Sequence, residues 1–169
     1  QSILGKEGAP GTQGKYYYLS DQNLERAPAI MPGGLSYGAL PVTGNRAAGH
    51  RWSAGCAIKL DDSLKKAGLL EDGATLWMSY VIKNNSEIEH RSATGSFTLR
   101  SADLKEGIGF KADGRQYETA VVLDGKVKGV RVGPVRGAPI LVVGKVTWGK
   151  DGAEDIYVPY TPGFDLKQP

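Results

Sequence analysis

A single cysteine, two histidines and no long apolar run characterise a chain of 169 residues, and each scarcity excludes something. Cys56 has no partner for an internal disulfide, so the fold must stand on its core alone. It is in step with Trp52, Ala54 and Ile58, a phase that buries it as a small hydrophobe rather than presenting a reactive thiol. His50 and His90 lack a second His or Cys at ligand spacing, which argues against zinc. Nothing approaches the ~20 consecutive apolar residues of a spanning helix, so membrane insertion is not expected. Positive charge is not gathered either: 21 Lys and Arg are interleaved with 18 Asp and Glu, for a net charge of +3. Nucleic-acid binders concentrate such charge in a patch or stripe, so no nucleic-acid partner is expected. The Gly-x-x-x-x-Gly-Lys-Ser/Thr phosphate loop is missing, and Gly144-Lys145 is a pair inside a strand pattern.

Glycine is what the chain has in excess, 24 residues, accompanied by 9 prolines. The pair implies many turns and few long helices. The length suits one well-buried domain and is short for two. Period-two and short apolar segments predict strands at Tyr16–Leu19, Gly34–Leu40, Arg51–Leu60, Thr75–Ile82, Gly95–Arg100, Gly107–Lys111, Tyr117–Leu123, Lys128–Val132, Pro139–Trp148 and Asp155–Tyr160. Turn signals separate them at Asn84-Asn85, Asp113-Gly114, Asp124-Gly125, Gly133-Pro134 and Asp151-Gly152. One short helix is predicted near residues 61–67, with Asp61 or Asp62 at its start, Lys65 and Lys66 in its last turn and Gly68 just past its end. Thr75–Ile82 is apolar at nearly every position and predicts a central strand, with Trp77 and, from the later strand, Trp148 in the core. The class is therefore all-β, a sandwich or barrel of short antiparallel strands. Residues 1–15 form a Gly-rich N-terminal arm and 16–169 the domain itself.

Four stretches in order carry a resemblance. They are Gly33-Gly34-Leu35-Ser36-Tyr37-Gly38-Ala39-Leu40, Gly73–Asn84 with its Trp77-Met78-Ser79, Leu141-Val142-Val143-Gly144-Lys145-Val146-Thr147-Trp148-Gly149, and Glu154-Asp155-Ile156-Tyr157-Val158-Pro159. Over residues 33–162 this order resembles the laminin G-like, concanavalin A-like domains of large secreted bacterial proteins of the planctomycete and verrucomicrobial type. The resemblance implies a two-sheet antiparallel jelly-roll β-sandwich and a secreted, extracellular or cell-surface setting. It implies no single activity, because the fold carries lectins, hydrolases and spacers alike. A start at Gln1 rather than Met fits a mature secreted form, although an arbitrary boundary would look the same.

The enzyme of that fold is a glycosidase with three acids on one strand face. The nearest stretch, Glu87-Ile88-Glu89-His90-Arg91, has Arg91 where the third acid belongs, and it follows a turn; an exposed hairpin is the better reading and catalysis is not expected. No cofactor is required. Calcium is the one cation considered, at Asp151 and Asp155 in preference to Asp61 and Asp62, with turn or helix capping as the alternative. A sugar ring stacks on aromatic faces, and Trp52, Tyr17, Tyr157 and Tyr160 are the candidates, since alternation must turn at least one of Tyr16, Tyr17 and Tyr18 outward. Gly5, Gly8, Gly11 and Gly14 recur at every third position, the spacing a collagen-type triple helix requires and one that a flexible arm also shows.

Two functions follow. The first is a non-catalytic secreted module that binds a glycan or matrix polymer. The second is a self-assembling structural subunit of an extracellular fibre or surface layer, in which the arm and exposed edge strands contact other copies of the chain.

Overall fold

The computed structural model describes residues 2–19, 28–40, 43–48, 55–83, 94–113, 116–129, 131–134 and 139–161. Among these described residues, twelve strands and one helical turn run in the order β1 (Thr12–Tyr18), β2 (Ala29–Met31), β3 (Arg46–Ala48), β4 (Cys56–Leu60), α1 (Ser63–Lys66), β5 (Thr75–Ile82), β6 (Thr94–Arg100), β7 (Gly107–Asp113), β8 (Gln116–Leu123), β9 (Lys126–Lys128), β10 (Arg131–Pro134), β11 (Ile140–Thr147) and β12 (Ile156–Tyr160). The all-β class holds. Where one domain is expected, the chain divides into two compact units: residues 1–34, 42–76 and 148–154, and residues 35–41, 77–147 and 155–169. The reason lies in the pairing, because the early strands form two separate two-stranded sheets, β1–β4 and β2–β3, instead of lengthening the larger ones.

In the first unit the expected arm is part of the fold, and a boundary at residue 15 falls inside β1. Glu7 bridges Lys15, the Gly5 N–H donates to the Tyr16 carbonyl and the Tyr16 N–H to the Lys6 carbonyl, both at 3.0 Å. Ile3 is buried, and its N–H reaches the Pro28 carbonyl at 2.9 Å. The glycine triplets do not make a collagen-type strand. Gly5, Gly11 and Gly14 have positive φ, 72°, 91° and 77°, whereas a triple helix needs φ near −75° throughout. Gly14 lies in the bulge where β1 spends extra residues between the Gln13–Lys59 and Tyr17–Ala57 pairs. Gly8 is required for space: a Cβ there would overlap Thr12 Oγ1 and Ile58 Cδ1.

The helix is shorter than predicted but ends as predicted. The Leu69 N–H donates to the Leu64 carbonyl and the Gly68 N–H to the Lys65 carbonyl, with Gly68 at φ 68°; this is a Schellman stop. Asp61, not the N-cap Asp62, does the capping, its Oδ1 accepting the Ser63 N–H at 2.8 Å.

The second unit holds a five-stranded sheet, β10-β8-β7-β6 with β9 also on β8, and the three-stranded sheet β12-β11-β5. Gly107–Asp113 pairs without interruption with both β6 and β8. Leu123 and Lys126 close a two-residue hairpin over Asp124 and Gly125, at φ 50° and 73°, the double positive φ of a type I′ turn. The single strand expected at Lys128–Val132 is two pieces along one edge: β9 faces Val121–Leu123 and β10 faces Gln116–Glu118. Gly133-Pro134, expected as a turn, closes β10, where an edge strand tolerates proline. Gly34–Leu40, expected as a strand, is a turn with Gly38 at φ 54° and a Tyr37–Leu40 bridge.

Side chains from both sheets of this unit meet. Phe110 (β7), 1% exposed, lies 4.9 Å by ring centroid from Tyr80 (β5) and 5.9 Å from Tyr157 (β12). Val122, Val142 and Val146 are equally buried.

Candidate functional site

Alternation on β11 sends Val142, Gly144 and Val146 to one face of its sheet and Val143, Lys145 and Thr147 to the other. Antiparallel register extends both sets, since opposed residues share a face. Gly144 opposes Pro159 and Val146 opposes Tyr157; Val143 opposes Tyr160, Lys145 opposes Val158 and Thr147 opposes Ile156.

The first face is closed. Phe110 and Tyr157 approach Gly144 so nearly that a Cβ there would lie 2.8 Å from Tyr157 Cε2 and 3.1 Å from Phe110 Cζ. The Tyr157 hydroxyl donates to the Gly109 carbonyl at 3.0 Å, and burial pushes its pKa well above the ordinary phenol value.

The second face is open. Trp77 on β5 is 49% exposed, and its ring is stacked with that of Tyr160 on β12 at 6.0 Å and 29°. Since β11 is the middle strand, and its Val143 opposes Tyr160, the two rings meet across it. A 6.0 Å separation at so small an angle is an offset stack, which leaves part of the ring surface uncovered. Lys145, from β11 itself, holds its Nζ 5.6 Å from the Trp77 centroid, a cation–π contact. Ile156, 58% exposed, ends the same face.

The four aromatic candidates therefore separate. Tyr160 is on the open face; Tyr157, three residues earlier, points into the core. Tyr17 is 41% exposed on β1, in the first unit. Trp52 lies outside the described residues, as do His50, His90, Glu87, Glu89 and Arg91. Trp77 corrects the expectation of a core residue. An apolar run on both faces of a strand signals burial on both sides, but here Trp77 shares its face with exposed Ser79, while Leu76 takes the buried one. The signal was present as Thr75-x-Trp77-x-Ser79, a phase diluted by hydroxyls. Trp148 behaves as a structural residue, half-buried, with its Nε1–H donating to the Leu69 carbonyl at 2.7 Å.

Other candidates are accounted for by local structure. Asp151 (φ 55°) and Gly152 (φ 84°) are the central residues of a turn closed by the Ala153 N–H on the Lys150 carbonyl at 3.1 Å. Asp151 and Asp155 are both exposed, and among the described residues no three His, Cys, Asp or Glu side chains gather to hold a metal ion. The Ser63 hydrogen bonds hold the Asp61 carboxyl below its usual range, and the Ser101 hydroxyl and Lys105 N–H do the same for Asp103. Half-burial pushes the Cys56 thiol up, away from the reactive thiolate. Gly34-Leu35-Ser36-Tyr37-Gly38 has the Gly-x-Ser-x-Gly spacing of a nucleophile elbow, which needs a strand before it and a helix directly after. Here it forms the Tyr37–Leu40 turn, and the next helix among the described residues is α1, beyond β3 and β4.

Comparison of the chain with protein-family models, curated proteins and solved structures gave no match.

Proposed function

We propose that this chain is a non-catalytic, secreted binding module for carbohydrate or extracellular matrix, built on a concanavalin A-like jelly-roll sandwich, with Trp77 and Tyr160 as its stacking platform. One observation carries the reading: a half-exposed Trp is paired with a second aromatic ring on the open face of a sheet whose other face is packed. An indole left partly in water forgoes burial free energy that a core position would supply. The apolar face of a pyranose ring recovers it. The laminin G-like order of motifs supports the jelly-roll and extracellular parts of the proposal, and the contacts of Phe110 with Tyr80 and Tyr157 support two facing layers in the second unit.

Titration calorimetry with a panel of soluble oligosaccharides tests it, on the wild-type chain and on Trp77→Ala. Binding of at least one oligosaccharide, weakened tenfold or more by Trp77→Ala with the fold intact by circular dichroism, is the expected result. No binding at millimolar sugar, or binding indifferent to Trp77, sinks the proposal.

A further inference from the structure

We infer that the Trp77–Tyr160 face selects acidic glycans, with Lys145 as the specificity-determining residue; the inference rests on the carbohydrate reading above. The middle strand of a three-stranded sheet is where an outward side chain has sheet neighbours on both sides, and that position on the open face is given to a lysine. Lys145 is half-buried between Val143 and Thr147 in the same phase, and its Nζ lies over the Trp77 ring. Among the described residues no carboxylate pairs with it. A cation held at 5.6 Å from an aromatic platform is placed beside any sugar ring stacked there. Such a ring brings a C6 carboxylate or a sulfate ester within reach of Nζ, and both anions offer the same chemistry, oxygens accepting charge-assisted hydrogen bonds. A neutral sugar leaves that capacity unused.

The test uses the full chain and three probes: an alginate oligosaccharide, a sulfated dextran oligosaccharide and a neutral cello-oligosaccharide, each titrated at low and high salt. The wild type is expected to bind at least one acidic probe three- to tenfold more tightly than the neutral one, with the preference shrinking as salt rises. Lys145→Gln is expected to remove the preference for the acidic probe, Lys145→Arg to restore it, and Lys126→Gln, exposed on β9, to leave it intact. The alginate and sulfate arms show which anion is taken. Equal binding of acidic and neutral probes overturns the inference and leaves the carbohydrate reading standing. Equal losses from Lys145→Gln and Lys126→Gln also overturn it, since attraction is then unlocalised. No binding of any probe removes both.

Discussion

The two faces of the β12-β11-β5 sheet are drawn from alternate residues of the same three strands, yet one is packed and the other open. On the packed side, Gly144, Tyr157 and Tyr80 meet Phe110, and the Tyr157 hydroxyl is satisfied by a backbone carbonyl. On the open side, Trp77, Lys145 and Tyr160 associate with one another across the middle strand. Both faces carry a tyrosine from β12. What separates them is what lies over each: a ring from the opposite sheet fills the space above Gly144, whereas Trp77 on the other face stays half-exposed. Aromatic content alone is thus a poor guide to core or site, and its partners decide.

The contrast predicts unequal costs for removing aromatic rings. Phe110→Ala is expected to cost about 3–5 kcal/mol in urea denaturation, because it opens a cavity against Tyr80 and Tyr157; a loss under about 1 kcal/mol would mean that the inner face is not a packed core. Gly144→Ala is expected to cost about 1–3 kcal/mol by overpacking. Its sign is informative, because glycine inside an open strand is usually improved by alanine. A neutral or stabilising result would show that Tyr157 and Phe110 yield easily.

Tyr157→Phe removes the bond to the Gly109 carbonyl and is expected to cost about 1–2 kcal/mol near neutral pH. It also has a pH signature. The folded phenol titrates above the ordinary value of 10.0, so just above that pH the folded state holds a proton that the unfolded state has released. The resulting stability is complete below about pH 10 and declines as pH rises through and beyond it. The urea midpoint should therefore drop less between about pH 9 and about pH 11 in Tyr157→Phe than in the wild type. Equal drops would place the hydroxyl in water. The smallest effect is expected at Trp77→Ala, under about 1 kcal/mol, because the ring is half-exposed; a cost matching that of Phe110→Ala would make it a core residue after all.

Much of the strand pattern is legible in the sequence. Thr75–Ile82 is read to the residue, and β7, β8, β11 and β12 lie within a few positions of their predicted bounds. These strands have steady apolar or alternating runs, and the signals at Asp124-Gly125 and Gly68 name the backbone conformations that occur. The three-residue strands β2 and β3 escape notice because Ala29-Ile30-Met31 and Arg46-Ala47-Ala48 are too short to show a period. The triplet spacing of the early glycines suggests a polymer helix, but their φ values belong to turns; a spacing records where glycine occurs and not which of its conformations is used. Of the aromatic candidates, Tyr160 lies on the open face beside Trp77, and Trp77 itself is assigned to the core by the hydrophobicity of its neighbours.

By itself the sequence determined the class, the order of most strands and their hairpin chemistry. Those are properties of residues adjacent in the chain: alternation, β-branched runs and the few residues that accept positive φ. Tertiary structure alone decided that the chain divides into two units, that the early glycines are built into the first, and which face of β5 and β11 stays open. Each of these depends on what lies across from a residue, and alternation defines two faces without saying which one another sheet will cover.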